Sequence, residues 1–241
     1  MTENETLEKL YNDHFTDLIE PLKSYNQHIS DKELDSTLKA TNPLMLKTKD
    51  DWCIADLKIM IYGQETNFWG KECGNNAAFC GKVNNVINVY DTFYLQNKMY
   101  NSPFWNEFRR IKKHFQKTTK TAVLWNNVIK IGRQGIGNLP QINQITKAHF
   151  NVLAQEINII NPDLIVFFTG PNYDKFILEY LGKFEKVKYA EFDVNQICEI
   201  KFDTDYGTKK VLRINHPNFL YRNKTRKVIM DKVLAELDSA L

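Results

Sequence analysis

Apolar residues along this chain recur in two periods, one helical and one extended, and the two alternate. Leu10, Phe15, Leu18 and Leu22 fall at near-helical spacing and predict a helix over residues 7–22, which Pro21 kinks or ends. A second, short helix is predicted over 31–38, and the compact apolar run 57–62 reads as a strand. Residues 63–83 hold Gly63, Gly70, Gly74 and Gly81 and read as a long loop, of the kind that often carries function in compact domains. Helices follow at 84–99 and 103–115, the latter with Ser102 as N-cap and Pro103 at its first position. Residues 121–125 form a strand, and 146–160 form an amphipathic helix that stops near Asn161-Pro162. The continuous apolar run 164–168 has the pattern of a strand covered on both faces. A helix at 173–181, short strands at 186–191, 197–202 and 210–215, and a closing helix at 225–241 complete the chain.

Strands alternating with helices predict an α/β fold with right-handed crossovers. The expected architecture is a three-layer α/β/α arrangement around a central, mainly parallel four-stranded sheet. A length of 241 residues suits one such domain with an addition, here a helical extension over 1–50 packed on a core over 51–241.

Composition narrows the function classes. No apolar run approaches the length of a membrane span, and the acidic start Met1-Thr2-Glu3-Asn4-Glu5 lacks a signal core, so a cytoplasmic location is expected. Cys53, Cys73, Cys80 and Cys198 form no close C-x-x-C pair, which argues against a zinc or iron–sulfur site; neither metal nor cofactor is expected. The net charge of +3 conceals an asymmetry. Residues 101–150 hold Arg109, Arg110, Lys112, Lys113, Lys117, Lys120, Lys130, Arg133 and Lys147 against the single acid Glu107, and Arg222, Lys224, Arg226 and Lys227 cluster later. One such stretch suits a polyanion partner or a solvated helix face equally; two of them, the second just after His216, point toward nucleic acid.

Candidate chemistry lies just past four apolar strands: Gly63-Gln64-Glu65-Thr66 after 57–62, Asn126 after 121–125, Thr169-Gly170 after 164–168, and His216-Pro217 after 210–215. The carboxyl edge of an open α/β sheet is where ligands bind. A carboxylate, an amide and an imidazole brought there together can handle a polar, planar ligand. In this order the stretches GQETN, VLWNNVIKI, IVFFTG and HPNFL resemble the uracil-DNA glycosylase superfamily, over residues 55–235. That family has a Gly-Gln-Asp-Pro-Tyr-type loop, an Asn ending its second strand, a Leu-Trp-Gly-type strand end and a His-Pro-Ser-Pro-Leu-type loop.

The resemblance implies a metal-independent, monofunctional, monomeric enzyme that hydrolyses the N-glycosidic bond of uracil or a related damaged base in DNA. The base must be flipped out of the stack at a cost of a few kcal/mol. Bond breaking leaves negative charge on the base, so a donor aimed at its oxygen stabilises the transition state above the ground state. His216 matches the histidine that donates to that oxygen, a task a neutral imidazole can perform. Asn126 matches the base-reading asparagine, whose amide offers one donor and one acceptor; its neighbour Asn127 leaves the register open. Glu65 stands where the family has an aspartate that positions or activates the attacking water. It is one methylene longer, and Thr66 replaces the usual proline with its fixed φ.

The resemblance further implies base binding by Gln64, through its amide or backbone N–H, and by Phe79, close to the family's base-stacking phenylalanine; such stacking contributes on the order of 1–3 kcal/mol. Asn67 replaces a tyrosine that excludes the thymine methyl group in uracil-specific members. Leu220 matches the apolar residue that wedges into the stack, with Phe219 and Tyr221 as alternatives beside it. Asn218, in place of a serine, and Arg222 and Lys224 are the expected phosphate contacts. Each of these residues also has a plain structural reading as a cap, turn or packing group. Two other functions stay open. One is a glycosylase-fold protein that binds DNA or a base without cleavage, for which the GQET departure is the motive. The other is an unrelated nucleotide-binding α/β enzyme, against which GQETNFWG lacks the G-x-G-x-x-G fingerprint.

Overall fold

The computed structural model describes residues 1–70, 81–96 and 99–241. Its strands are β1 (Ala40–Pro43), β2 (Leu57–Asn67), β3 (Thr121–Arg133), β4 (Leu164–Phe167), β5 (Phe184–Lys188), β6 (Ile197–Phe202) and β7 (Lys210–Ile214). They form one sheet in the order β1-β3-β2-β4-β7-β6-β5, with helices on both sides. The layered α/β architecture is the expected one, but the sheet has seven strands rather than four. The four strands that carry the motifs are its centre, β3-β2-β4-β7, and β2–β4 and β4–β7 pair in parallel. The additional strands join antiparallel: β1 to β3, β6 to β7 and β5 to β6. Antiparallel neighbours need no crossover helix, so short connections suffice to add β6 and β5 beside β7. Pro43 fits β1 because an edge strand can lack a ladder donor.

The helices are α1 (Glu3–Asp31), α2 (Val83–Tyr90), α3 (Pro103–Phe115), α4 (Pro140–His149), α5 (Leu153–Ile160), α6 (Asp174–Leu181), α7 (Pro217–Arg222) and α8 (Arg226–Asp238). By contacts the chain divides into two compact units. The first comprises Met1–Lys47, Glu65–Lys98 and Ile129–Ile159; the second comprises Thr48–Gln64, Met99–Val128 and Ile160–Leu241.

In the first unit α1 begins with a capping box, Thr2 and Glu5 each accepting the other's backbone N–H. The helix passes through Pro21 without ending. Proline in a helix interior costs about 3 kcal/mol, but the buried stripe Leu7, Tyr11, Leu18, Leu22 and Ile29 runs across it, and each large apolar side chain so buried returns ~1.5–3 kcal/mol. The predicted short helix over 31–38 is instead the end of α1 followed by a 3-10 turn at Ser36–Leu38. The predicted helix over 146–160 is two, α4 and α5, parted at Phe150–Val152; Phe150 leaves the helical region at φ −143° and buries its ring. A buried polar knot ties the elements. Tyr11 donates to Glu156 at 2.7 Å and accepts the Leu46 N–H at 2.9 Å, and Lys130 Nζ lies 2.7 Å from the same carboxylate. Burial pushes the Lys130 ammonium below its ordinary range, and Glu156 opposes that shift.

Two expectations about the motifs fail here for one reason. Residues 63–67 are not the start of a loop, because β2 runs on to Asn67. Asn126 does not end a strand, because β3 runs on to Arg133. Gly132 makes close backbone approach possible: a Cβ there would lie 1.7 Å from the Thr66 carbonyl oxygen.

The second unit holds the parallel register Ile59–Leu164–Lys210 through Tyr62–Phe167–Arg213. Ser102 caps α3 through the Trp105 N–H, as predicted. Glu236 of α8 binds Lys210 of β7 at 2.7 Å, fastening the last helix to the sheet.

Candidate active site

The polar cluster of the second unit gathers where β7 ends. The chain leaves Ile214 through Asn215 and His216 and enters α7. His216 is the N-cap of that helix, its Nδ1 accepting the Asn218 N–H at 3.2 Å. With Nδ1 as acceptor, the neutral ring carries its proton on Nε2. Burial, with the Arg222 charge adding to it, lowers the imidazole to about 4. At pH 7 the residue is therefore an uncharged group with one donor to offer.

Phe104, the second residue of α3, lies nearly parallel to the His216 ring, at 22° with centroids 6.1 Å apart. Its Cε2 lies close to Gly63 of β2. A Cβ on Gly63 would stand 3.2 Å from Phe104 Cε2 and 2.4 Å from Asn127 Oδ1. Glycine is thus what leaves room for an amide and a phenyl ring beside the strand. The same contact decides between the adjacent asparagines. Successive strand residues point to opposite faces, so Asn127 shares a face with Gly63 and Phe104, and Asn126 points to the other. Asn126 is fully buried with its Oδ1 accepting the Asn127 N–H, while Asn127 Oδ1 accepts from the Trp125 indole at 3.2 Å.

After β4 the chain turns at Thr169-Gly170. Gly170 adopts φ +74°, and its N–H donates to the Ile214 carbonyl at 2.8 Å, drawing this turn to the Asn215-His216 turn. Gln64 donates its amide to the Thr169 carbonyl at 2.8 Å, so that amide already has a partner in the protein. Thr169 Oγ1 is buried and has no hydrogen-bond partner among the described residues, a hydroxyl left for a water or a ligand atom. Glu65, the next residue of β2, is half-buried and opens a segment of the first unit. Phe79 lies outside the described residues.

The family model for the Uracil DNA glycosylase superfamily matches residues 51–238. The chain belongs to this superfamily. Among curated proteins none matches it. Members of the superfamily act on DNA. In this glycosylase-superfamily chain Leu220 is 1% exposed and packs inward, whereas Phe219 is 44% exposed. The apolar side chain that α7 offers outward is Phe219. Asn218, Arg222 and Lys224 are all exposed on or just after α7.

The basic stretch 101–150 does not act as one surface. Lys130 is buried against Glu156, Arg133 donates to the Ile136 and Gly137 carbonyls, and Arg110 pairs with Glu107 and Asp231. Lys113, Lys117 and Lys120 remain exposed. No helix among the described residues is long and apolar enough to cross a membrane.

Phe104 escaped the sequence reading. It fits the helical apolar stripe with Phe108, Ile111 and Phe115, and only packing shows it half-exposed and turned toward His216. The doublet Asn126-Asn127 did carry a signal, since strand parity places one residue on each face; the sequence left open which face mattered.

Proposed function

We propose that this protein hydrolyses the N-glycosidic bond of uracil or a related damaged base in DNA. The observation that carries the reading is His216, uncharged at pH 7, with Nδ1 committed to α7 and Nε2–H left to donate. In the reaction a water oxygen bonds to the sugar C1′ as the C1′–N bond breaks, the bond's electron pair leaves with the base, and the proton lost by the water ends on the departed base. The Nε2–H of His216 meets the charge that develops on the base oxygen, where a donor is worth most. Asn127, on the face of β3 that meets Gly63 and Phe104, reads the base edge. Phe219 wedges into the stack, with Asn218, Arg222 and Lys224 on phosphates. The resemblance assigns the attacking water to Glu65. This reading takes residues 1–50 as an extension and 51–241 as the catalytic domain.

A second reading, base or DNA binding without cleavage, has one observation in its favour: Gly63-Gln64-Glu65-Thr66 lies within strand β2 rather than in a loop. The test is alkaline strand cleavage of oligonucleotides, single-stranded and duplex, holding one uracil, hypoxanthine, xanthine or hydroxymethyluracil. Abasic product that disappears with His216→Ala, and falls with Asn127→Ala more than with Asn126→Ala, supports hydrolysis. Tight binding to the lesion oligonucleotide with no product from any of them favours the second reading.

A further inference from the structure

We propose that Phe104 is a positioning residue for His216: its ring fixes the plane of the imidazole and shields one face from water, so that Nε2–H stays aimed at the leaving base. The proposal rests on the role given to His216 above. The hydrogen bond described for the imidazole, at Nδ1, fixes the ring at one atom. The ring can still rock about its side-chain bonds, and a flip would exchange Nδ1 for a carbon and lose the Asn218 N–H. A near-parallel aromatic face at 6.1 Å restricts both motions.

Phe104 is itself well held. It meets Trp105 edge-on at 5.0 Å and Phe168 at 5.6 Å, and its Cε2 fills space that a side chain on Gly63 would need. It stands in the first turn of α3, whose start is fixed by the Ser102 cap and Pro103. The rigid start of one helix thus bears on the cap residue of another. Phe104 carries no charge, and Arg222 on α7 is the charged group that acts on the imidazole. Covering the ring is the contribution left to the phenyl group, and burial is the larger cause of its low proton affinity.

The test is nuclear magnetic resonance on protein labelled with nitrogen-15 in histidine, titrated from acid to neutral pH. The wild-type protein should show one His216 tautomer, with the proton on Nε2. Phe104→Ala should bind the His216 proton at least about tenfold more tightly and mix the tautomers, while Phe104→Tyr should match wild type. A folded Phe104→Ala protein with an unchanged His216 titration and tautomer overturns the proposal. Should that variant not fold, Phe104→Leu takes its place, and the wild-type spectrum supplies a further reading. Nuclear Overhauser contacts between the Phe104 and His216 ring protons are expected from rings this close, and their absence also overturns the proposal. None of these readouts uses turnover, so a failed cleavage assay and a failed positioning role are told apart.

Discussion

A donor that meets a forming anion need not be cationic, and His216 is uncharged because of where its ring lies. Its folded proton affinity, about 4, is below the ordinary histidine value of 6.5. Between those two pH values the unfolded chain binds the extra proton and the folded protein does not. The stability due to the neutral ring is therefore complete above pH 6.5 and declines as pH falls toward 4. Urea unfolding of wild type and His216→Gln at pH 7 and pH 5 should show the wild-type midpoint dropping further over that interval. Parallel declines would mean the ring is not held neutral. For the same reason, a reaction that uses His216 should show no step near pH 6.5 in kcat. At this scale the sequence marks His216 well, through the Pro217 that follows and the apolar strand before it. It cannot mark Phe104, whose partner lies 112 positions later in the chain, as the numbering shows.

At the scale of elements, the knot of Tyr11, Lys130 and Glu156 joins α1, β3 and α5 within the first unit. The Lys130 and Glu156 side chains are 2% and 0% exposed. Removing one charge leaves the other buried without its counter-charge, which typically costs about 3–5 kcal/mol, whereas replacing both with apolar groups is often near neutral. Lys130→Met and Glu156→Leu should each lower the free energy of unfolding by about that amount, and the double variant by much less. A double-mutant cycle by chemical denaturation measures this; additive losses would refute the coupling. From sequence, Lys130 counts toward a basic surface, because nothing local announces a carboxylate 26 residues away. The continuation of β2 through Thr66 is equally nonlocal, since it depends on Gly132 of β3. By contrast, the Ser102–Pro103 start of α3 and the stop at Asn161-Pro162 were legible, because caps and prolines act within a few residues of themselves.

Over the whole molecule the net charge is only +3, so any electrostatic hold on DNA must come from exposed local groups rather than from a global field. Arg222 and Lys224 on and after α7 are exposed, as are Lys113, Lys117 and Lys120. Oligonucleotide binding by fluorescence anisotropy, at salt from about 50 to 200 mM, should weaken along a log–log line of slope near −0.9 per phosphate neutralised. Arg222→Ala and Lys224→Asn should each reduce that slope by about one. Asparagine is chosen for position 224 because Lys224 has φ +57°, which asparagine tolerates. Slopes unchanged in both variants would remove α7 from the interface.

The sequence by itself determined the alternation of strands and helices, the order of four motif-bearing strands and the family they belong to. Periodicity, caps and turn residues are local, and the family motifs lie in a fixed order along the chain. Tertiary structure alone decided that Asn127 rather than Asn126 shares the face of Gly63 and Phe104, that Phe219 rather than Leu220 faces outward, that Glu65 lies within a strand, and that Lys130 belongs to the core. Periodicity assigns side chains to the faces of their own element, but which face meets which neighbour depends on strand pairing and packing between residues far apart in the chain.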